Sequence, residues 1–360
     1  MEPAESAAQV SWGSLPVPCV QELAKESSVT VPPRYVRPAQ GQAIQWDPSH
    51  EVPVIDMQRL LSEESMDSEL GRLHSASKEW GFFQLVNHGV SSSLVENIKT
   101  QILDFFNLPM EEKKNFWQKP GDLEGFGQAF VVSEEQKLDW GDMFYIKTLP
   151  ISMRKPHLFP KFPLPFRDTV EHYSSEVNNL AMFILAQMAK ALKMESEEMK
   201  ELFEDGGQSM RMNYYPACPQ PEQVNGISPH SDATGLTILL QLNEVEGLQI
   251  RKDGMWVPLK PVSGAFIVNI GDVLENSLPN SGDKAQNSRL LKILEDKANI
   301  VVSYCLSTWN CHRKEMTCEN LKKDFYFWNM TQLLQMTESI YIDLHVNQLI
   351  QVLPQFFYAI

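Results

Sequence analysis

Little in this chain would support a disulfide scaffold. It has five cysteines in 360 residues (Cys19, Cys218, Cys305, Cys311 and Cys318), too few and too scattered for such a framework. Cys311 and Cys318 stand too far apart for a CxxC zinc pair, and Cys305, Cys311, His312 and Cys318 together match no common finger spacing. Reduced thiols are the expected state. Positive charge is scarce too: 31 Lys and Arg face 46 Asp and Glu, a formal net charge of −15. Phosphate backbones and anionic lipid repel such a chain, so neither nucleic-acid nor membrane-surface binding is expected as its main task. No apolar run approaches the length of a membrane span. The opening MEPAESAAQV lacks the basic and apolar regions of a secretory signal, and a cytoplasmic location is expected. Internal repeats and low-complexity tracts are missing. So is a GxGxxG phosphate cradle: in Glu124–Gln128 the glycine interval is wrong and no strand–helix context surrounds it. That segment reads as a flexible loop.

What remains is a chain with 43% hydrophobic and 21% charged residues, enough apolar material for one large domain or two smaller ones. Pro32, Pro33 and Pro38 break the first 50 residues into an arm with one short helix following Leu15. Val52–Asp56 and Phe82–Val86 read as short buried strands. Helical spacing of apolar residues marks Ser68–Trp80, Ser91–Phe106 and a long stretch from Arg167 to Glu204. His88, in the Asn-His-Gly turn after Phe82–Val86, reads as a packing residue more than a ligand. From Ser209 the period changes to alternation. Leu236–Leu242, Leu248–Arg251, Trp256–Leu259 and Ala265–Ile270 are short strands between Gly, Asp-Gly or Pro turns, with Asp253-Gly254 a hairpin signal. A helix-rich half followed by an all-β half of sandwich or jelly-roll type is expected.

The chemistry is concentrated in Ser228-Pro-His-Ser-Asp232. Residues two apart on a strand share a face, so His230 and Asp232 could aim an imidazole and a carboxylate at one metal ion. A site of two histidines and one carboxylate holds Fe(II) on one octahedral face and leaves the others open for an organic co-substrate and oxygen. The pair supplies two corners of it. The competing reading is a surface turn at a strand entrance.

A series of longer segments surrounds that pair in order. They are Val52-Pro-Val-Ile-Asp56; Glu79-Trp-Gly-Phe-Phe-Gln-Leu-Val-Asn-His-Gly89; Phe105-Phe-Asn-Leu-Pro109; Glu124-Gly-Phe-Gly127; Arg211-Met-Asn-Tyr-Tyr-Pro216; Leu236-Thr-Ile-Leu239; Gly247-Leu-Gln249; and Asn269-Ile-Gly-Asp272. With them the chain resembles plant 2-oxoglutarate- and Fe(II)-dependent dioxygenases of specialised metabolism, in the branch with alkaloid O-demethylases, norcoclaurine-synthase-like and senescence-related proteins. The resemblance implies an α+β fold, a distorted double-stranded β-helix (jelly roll) flanked by helices. It implies Fe(II) at His230 and Asp232, 2-oxoglutarate as co-substrate touching Asn213 and Tyr215, and ascorbate as a supporting reductant. It also implies a monomer that hydroxylates or demethylates an alkaloid- or phenolic-like small molecule, with the Glu124–Phe130 region helping to choose the substrate. From the residues alone, Asn213 and Tyr215 are equally ordinary strand-end packing.

The resemblance breaks off after Glu275. The family needs a second His downstream of the Asp and then an Arg-x-Ser whose guanidinium holds the far carboxylate of 2-oxoglutarate. The next histidines here are His312 and His345, and Arg289 and Arg313 lead into no such motif. The expected organisation is therefore a helix-rich region over 1–205, a partial jelly-roll core over 206–275, and a tail over 276–360 unlike the family. Three readings of that tail stand: an alternative or mis-spliced ending, a degenerate member that binds poorly, or His312 as third ligand. Beside the oxygenase stands a non-catalytic shell that binds a small molecule without metal. A jelly roll stopping at Glu275 would also carry unpaired strand edges.

Overall fold

The computed structural model describes residues 14–25, 30–37, 51–119, 122–128, 130–159, 166–203, 206–277, 289–291 and 299–307. In chain order the first half gives α1 (Val20–Lys25), β1 (Val54–Asp56), α2 (Met57–Leu61), α3 (Met66–Ser75), β2 (Phe82–Val86), α4 (Ser92–Asn107), α5 (Met110–Lys113), β3 (Gly125–Gly127), β4 (Asp142–Leu149), α6 (Phe166–Ala191) and α7 (Ser196–Phe203). The second half gives β5 (Gly207–Tyr215), β6 (Ile227–His230), β7 (Leu236–Gln241), β8 (Leu248–Lys252), β9 (Met255–Pro258), β10 (Phe266–Ile270), α8 (Asp272–Ser277), β11 (Arg289–Leu291) and β12 (Asn299–Ser307).

The strands form two sheets. The larger runs β1-β2-β10-β7-β12-β5-β4-β3, and the smaller runs β6-β11-β8-β9. Alternation along each strand sorts its side chains between two cores. Met210, Met212, Leu236, Ile238, Leu240, Ile300, Tyr304 and Leu306 face outward and pack with Val170, Tyr173, Val177 and Ile184 of α6. Tyr215, Leu239, Ile267 and Val301 face inward and pack with Leu248 and Ile250 of the smaller sheet. The space between the sheets is the interior of the jelly roll.

The β-half is not self-contained, because β1 to β4 supply four of the eight strands of the larger sheet. Nor does the fold stop at Glu275. Strand β12 lies inside the larger sheet, paired along its length with β5 (Val301 opposite Asn213, Ser303 opposite Arg211) and with β7 (Ser303 opposite Leu239, Cys305 opposite Thr237). It covers the two edges that a chain ending at Glu275 would leave open. The Tyr304 hydroxyl donates to the Ser174 carbonyl of α6 at 3.0 Å and fastens this strand to the helical layer.

Two local expectations are corrected. Gly125–Gly127 is a buried strand on the edge of β4 and not a flexible loop. A Cβ on Gly125 would lie 2.8 Å from the Phe116 carbonyl oxygen, so glycine is required by a close backbone approach that propensity cannot show. The long helix predicted from Arg167 is two helices, broken at Lys193, whose φ is +56°. The Asp253-Gly254 hairpin is present, with φ of +50° and +80°, as a type I′ turn requires. His88 packs its ring 4.2 Å from that of Phe266 and bonds the Gly264 carbonyl. Burial pulls its pKa below the usual histidine value, with the Gly264 bond opposing. Both fit a structural residue. None of the described cysteines, Cys19, Cys218 and Cys305, forms a disulfide. Cys311, His312, Cys318 and His345 lie outside the described residues, and among the described ones no helix is long and apolar enough to cross a membrane.

Candidate metal and 2-oxo acid site

His230 ends β6 of the smaller sheet, and Asp232 lies in the loop that leads to β7 of the larger one. Nδ1 of His230 sits 2.8 Å from the Ser228 carbonyl. A carbonyl only accepts, so Nδ1 carries a proton, and Nε2 is the ring nitrogen left to face a metal. That nitrogen is 3.5 Å from Oδ1 of Asp232. The other carboxylate oxygen, Oδ2, accepts from the Thr237 hydroxyl at 2.7 Å and from the Asn269 amide at 2.9 Å. The carboxylate is thus turned so that Oδ1 faces the imidazole. Oriented outer partners of this kind are what metal ligands carry.

The support reaches further. The Ser228 hydroxyl donates to Asp139 at 2.6 Å, and Arg37 of the N-terminal arm donates to both Asp139 (2.9 Å) and Ser228 (2.8 Å). Behind Asp232, the Asp272 amide donates to its carbonyl at 2.8 Å, and Gly271 donates to Gly235 at 2.8 Å. The loop Asp232–Thr234 is therefore clamped to the start of α8.

His230 Nε2 and Asp232 Oδ1 fit two corners of an Fe(II) site in donor type and convergence. Among the described residues no third His, Cys, Asp or Glu joins them. The third-ligand candidate, His312, lies outside the described residues.

Asn213 and Tyr215 lie on the inner face of β5. They line a small cavity together with Arg211, Ile227, Leu239, Leu248, Val301 and Ser303. Asn213 is buried; its Oδ1 accepts from Nε of Arg211 at 2.8 Å and its amide nitrogen donates to the Val301 carbonyl at 3.4 Å. The lining does not include His230 or Asp232. Their connection runs along β7, where Thr237 bonds Asp232 and Leu239, two residues on, lines the cavity. It also runs across to β12, where the Thr237 hydroxyl reaches the Cys305 sulfur at 3.6 Å. Val301, Ser303 and Cys305 share the inner face of β12, so cavity and metal pair occupy successive rungs of one surface.

Sequence reading passed over Thr237, Asn269, Arg211 and Ser303. Thr237, Asn269 and Arg211 lie in segments that carry the resemblance. Their only other signal was a polar residue at an inward position of an apolar strand: Thr237 is fully buried and Asn269 is 1% exposed.

Two family models match the chain. One, described as non-haem dioxygenase in morphine synthesis N-terminal, spans residues 52–162; the other, the 2OG-Fe(II) oxygenase superfamily, spans 206–297. The second match continues past Glu275, where the motif resemblance breaks off. Among curated relatives, Protein SRG1 of Arabidopsis thaliana is 61% identical over 278 residues, 76% of this chain and 77% of that one. Codeine O-demethylase of Papaver somniferum is 54% identical over 268 residues, 72% and 74% of the two chains. Among solved structures, JOX2 in complex with 2OG, Fe and JA superposes with a TM-score of 0.73 at 31% identity, covering 85% of this chain and 89% of that one. The dioxygenase for auxin oxidation in rice, at 24% identity, TM-score 0.58 and coverage of 71% and 83%, shares the fold.

Proposed function

Because the chain belongs to the 2OG-Fe(II) oxygenase superfamily, we propose that it hydroxylates or O-demethylates a small specialised metabolite of alkaloid or phenolic type, with Fe(II) held by His230 and Asp232. Fe(II) and 2-oxoglutarate are the cofactor and co-substrate of this family. Bound there, the metal with 2-oxoglutarate and oxygen would supply an oxidant for an unactivated C–H bond, the 2-oxo acid losing carbon dioxide and taking up one oxygen atom to leave as succinate while the other goes to the substrate. The observation that carries the reading is the convergence of Nε2 and Oδ1 at 3.5 Å, each on a group whose other polar atom is tied to protein.

The chain's own groups have defined tasks. Ser228 fixes the imidazole tautomer, and Thr237 and Asn269 hold one carboxylate oxygen so that the other is presented. Asn213 and Tyr215 line the cavity in which the 2-oxo acid lies. A demethylase and a hydroxylase would share this machinery and differ in which carbon is presented. The relatives' names, flavonoid 7-O-demethylase and codeine O-demethylase, support a ring-bearing methyl ether as substrate.

The test is succinate release from the full chain with Fe(II), 2-oxoglutarate and oxygen, abolished by His230→Ala and by Asp232→Ala. One observation favours a second reading, a small-molecule-binding shell without turnover: the metal pair has two donors among the described residues. Titration calorimetry separates them. The oxygenase gives heat with Fe(II) and then with 2-oxoglutarate; the shell gives none with either.

A further inference from the structure

The cavity beside the metal pair has one charged residue in its lining, Arg211. The position matters because β12 does not supply a cation there. Val301 and Ser303 are the two β12 residues that face this cavity, and they stand two apart, as the Arg and Ser of an Arg-x-Ser would. Ser303 is present; the arginine's place holds a valine.

Arg211 lies across the ladder from Ser303, since the two are paired residues of β5 and β12. Its Nε is engaged by Asn213 Oδ1 at 2.8 Å, which leaves the two terminal nitrogens of the fork for another partner. Among the described residues Arg211 makes no ion pair. A half-buried guanidinium without a carboxylate is costly to keep and is the natural seat for an anion. The cavity around it is otherwise neutral, with the amide of Asn213, the phenol of Tyr215 and the hydroxyl of Ser303 as its polar groups. Arg211 is also one pleat repeat from the row in which Thr237 meets Cys305 and holds Asp232. Two residues of strand rise about 6.6 Å, and a 2-oxo acid whose oxo end lies at the metal pair would place its far end near this row.

We propose that Arg211 is the group that receives the far carboxylate of 2-oxoglutarate in this chain, in place of an arginine on β12, with Ser303 as its hydrogen-bonding neighbour. The inference rests on the oxygenase reading above.

The test compares 2-oxoglutarate with 2-oxopentanoate, the same carbon chain without the far carboxylate, by calorimetry on the Mn(II)-loaded full chain. The wild type is expected to prefer 2-oxoglutarate by about 10- to 100-fold, the range for a charge-assisted hydrogen-bonded pair. R211Q keeps a donor toward Asn213 but removes the charge; it is expected to bind both acids at the weaker level. R211Q/V301R, which returns a guanidinium from β12, is expected to restore the preference. An R211Q variant that still prefers 2-oxoglutarate overturns the inference and leaves the oxygenase reading standing. So does a wild type that binds both acids equally. A wild type that binds neither acid overturns the oxygenase reading and the inference with it. Circular dichroism checks folding. If R211Q is unfolded, R211K carries the test: it keeps the charge without the fork and is expected to narrow the preference several-fold, and an unnarrowed preference overturns the inference.

Discussion

Replacing Gly271 by alanine is expected to disable the metal pair from behind. A Cβ at this position would lie 2.0 Å from the Thr234 carbonyl oxygen, 2.6 Å from the Thr234 carbonyl carbon and 2.9 Å from the Asp232 carbonyl oxygen. The shortest of these falls about 1.4 Å short of ordinary van der Waals contact near 3.4 Å. All three atoms are backbone, so no side chain can swing aside. Either Asp232–Thr234 moves or the β10–α8 junction does, and both carry the hydrogen bonds Gly271 to Gly235 and Asp272 to Asp232. Overpacking of this kind costs about 1–3 kcal/mol, a fall in melting temperature of roughly 2 °C per kcal/mol for a chain of this size. The functional loss is expected to be larger in proportion, because about 1 Å of misplacement at a site is worth on the order of 100-fold. Melting followed by circular dichroism and Mn(II) titration measure the two effects. Gly71→Ala is the matched control. It places the same methyl in helix α3 with nothing within 4 Å and is expected to stabilise by about 0.5–1 kcal/mol. A G271A protein that melts and binds Mn(II) like the wild type would refute the close-approach reasoning.

Further substitutions probe the other supports. Thr237→Val keeps shape but removes the donor to Asp232, and Mn(II) affinity is expected to fall about 10-fold with little change in melting; equal affinities would mean the orientation of Asp232 does not depend on Thr237. Tyr304→Phe takes the hydroxyl from the Ser174 carbonyl, and urea unfolding is expected to show a loss of about 1–2 kcal/mol. Burial, reinforced by the neighbouring Asp142 charge, pushes the Cys19 thiol from 9.0 up to about 12. The folded state thus holds that proton more tightly than the unfolded one, so the stability it gives is complete below pH 9 and drains away between about pH 9 and 12. Urea midpoints across that range should fall more steeply for the wild type than for Cys19→Ala, and parallel curves would count against the assignment.

The elements that sequence reading found were those whose period or turn chemistry is local. Phe82–Val86, Ser91–Phe106 and the Asp253-Gly254 hairpin needed nothing beyond their own residues. Gly125–Gly127 was misread because its two glycines serve an approach by Phe116 and Gln118, invisible in the segment itself. The break at Lys193 is a left-handed residue where no glycine or proline announces it. His230 and Asp232 stood out as a candidate pair by their two-residue spacing, yet only His230 lies on a strand; Asp232 follows in the loop, and its approach to the imidazole comes from the bonds that Thr237 and Asn269 make to it. Thr237 and Asn269 did not stand out, since their meeting with Asp232 depends on how β7 and β10 flank one another. Arg211 needed the register of β12 against β5, and Ile300–Leu306 could be read as strand-like without its place in the sheet being deducible.

That place carries a consequence for how the protein is made. Strand β5 ends at Tyr215 and its partner begins at Asn299. A ribosome adding roughly 5–20 residues per second takes on the order of 4–17 s to cross that interval. From the completion of β7 at Gln241 until β12 is made, β5 and β7 present facing, unsatisfied backbone edges with a gap one strand wide between them. The nascent chain is thus a sheet in two halves, poised to accept any extended segment of suitable hydrophobicity. Chaperone occupancy is expected to peak in that window and to drop once residues around 307 leave the exit tunnel.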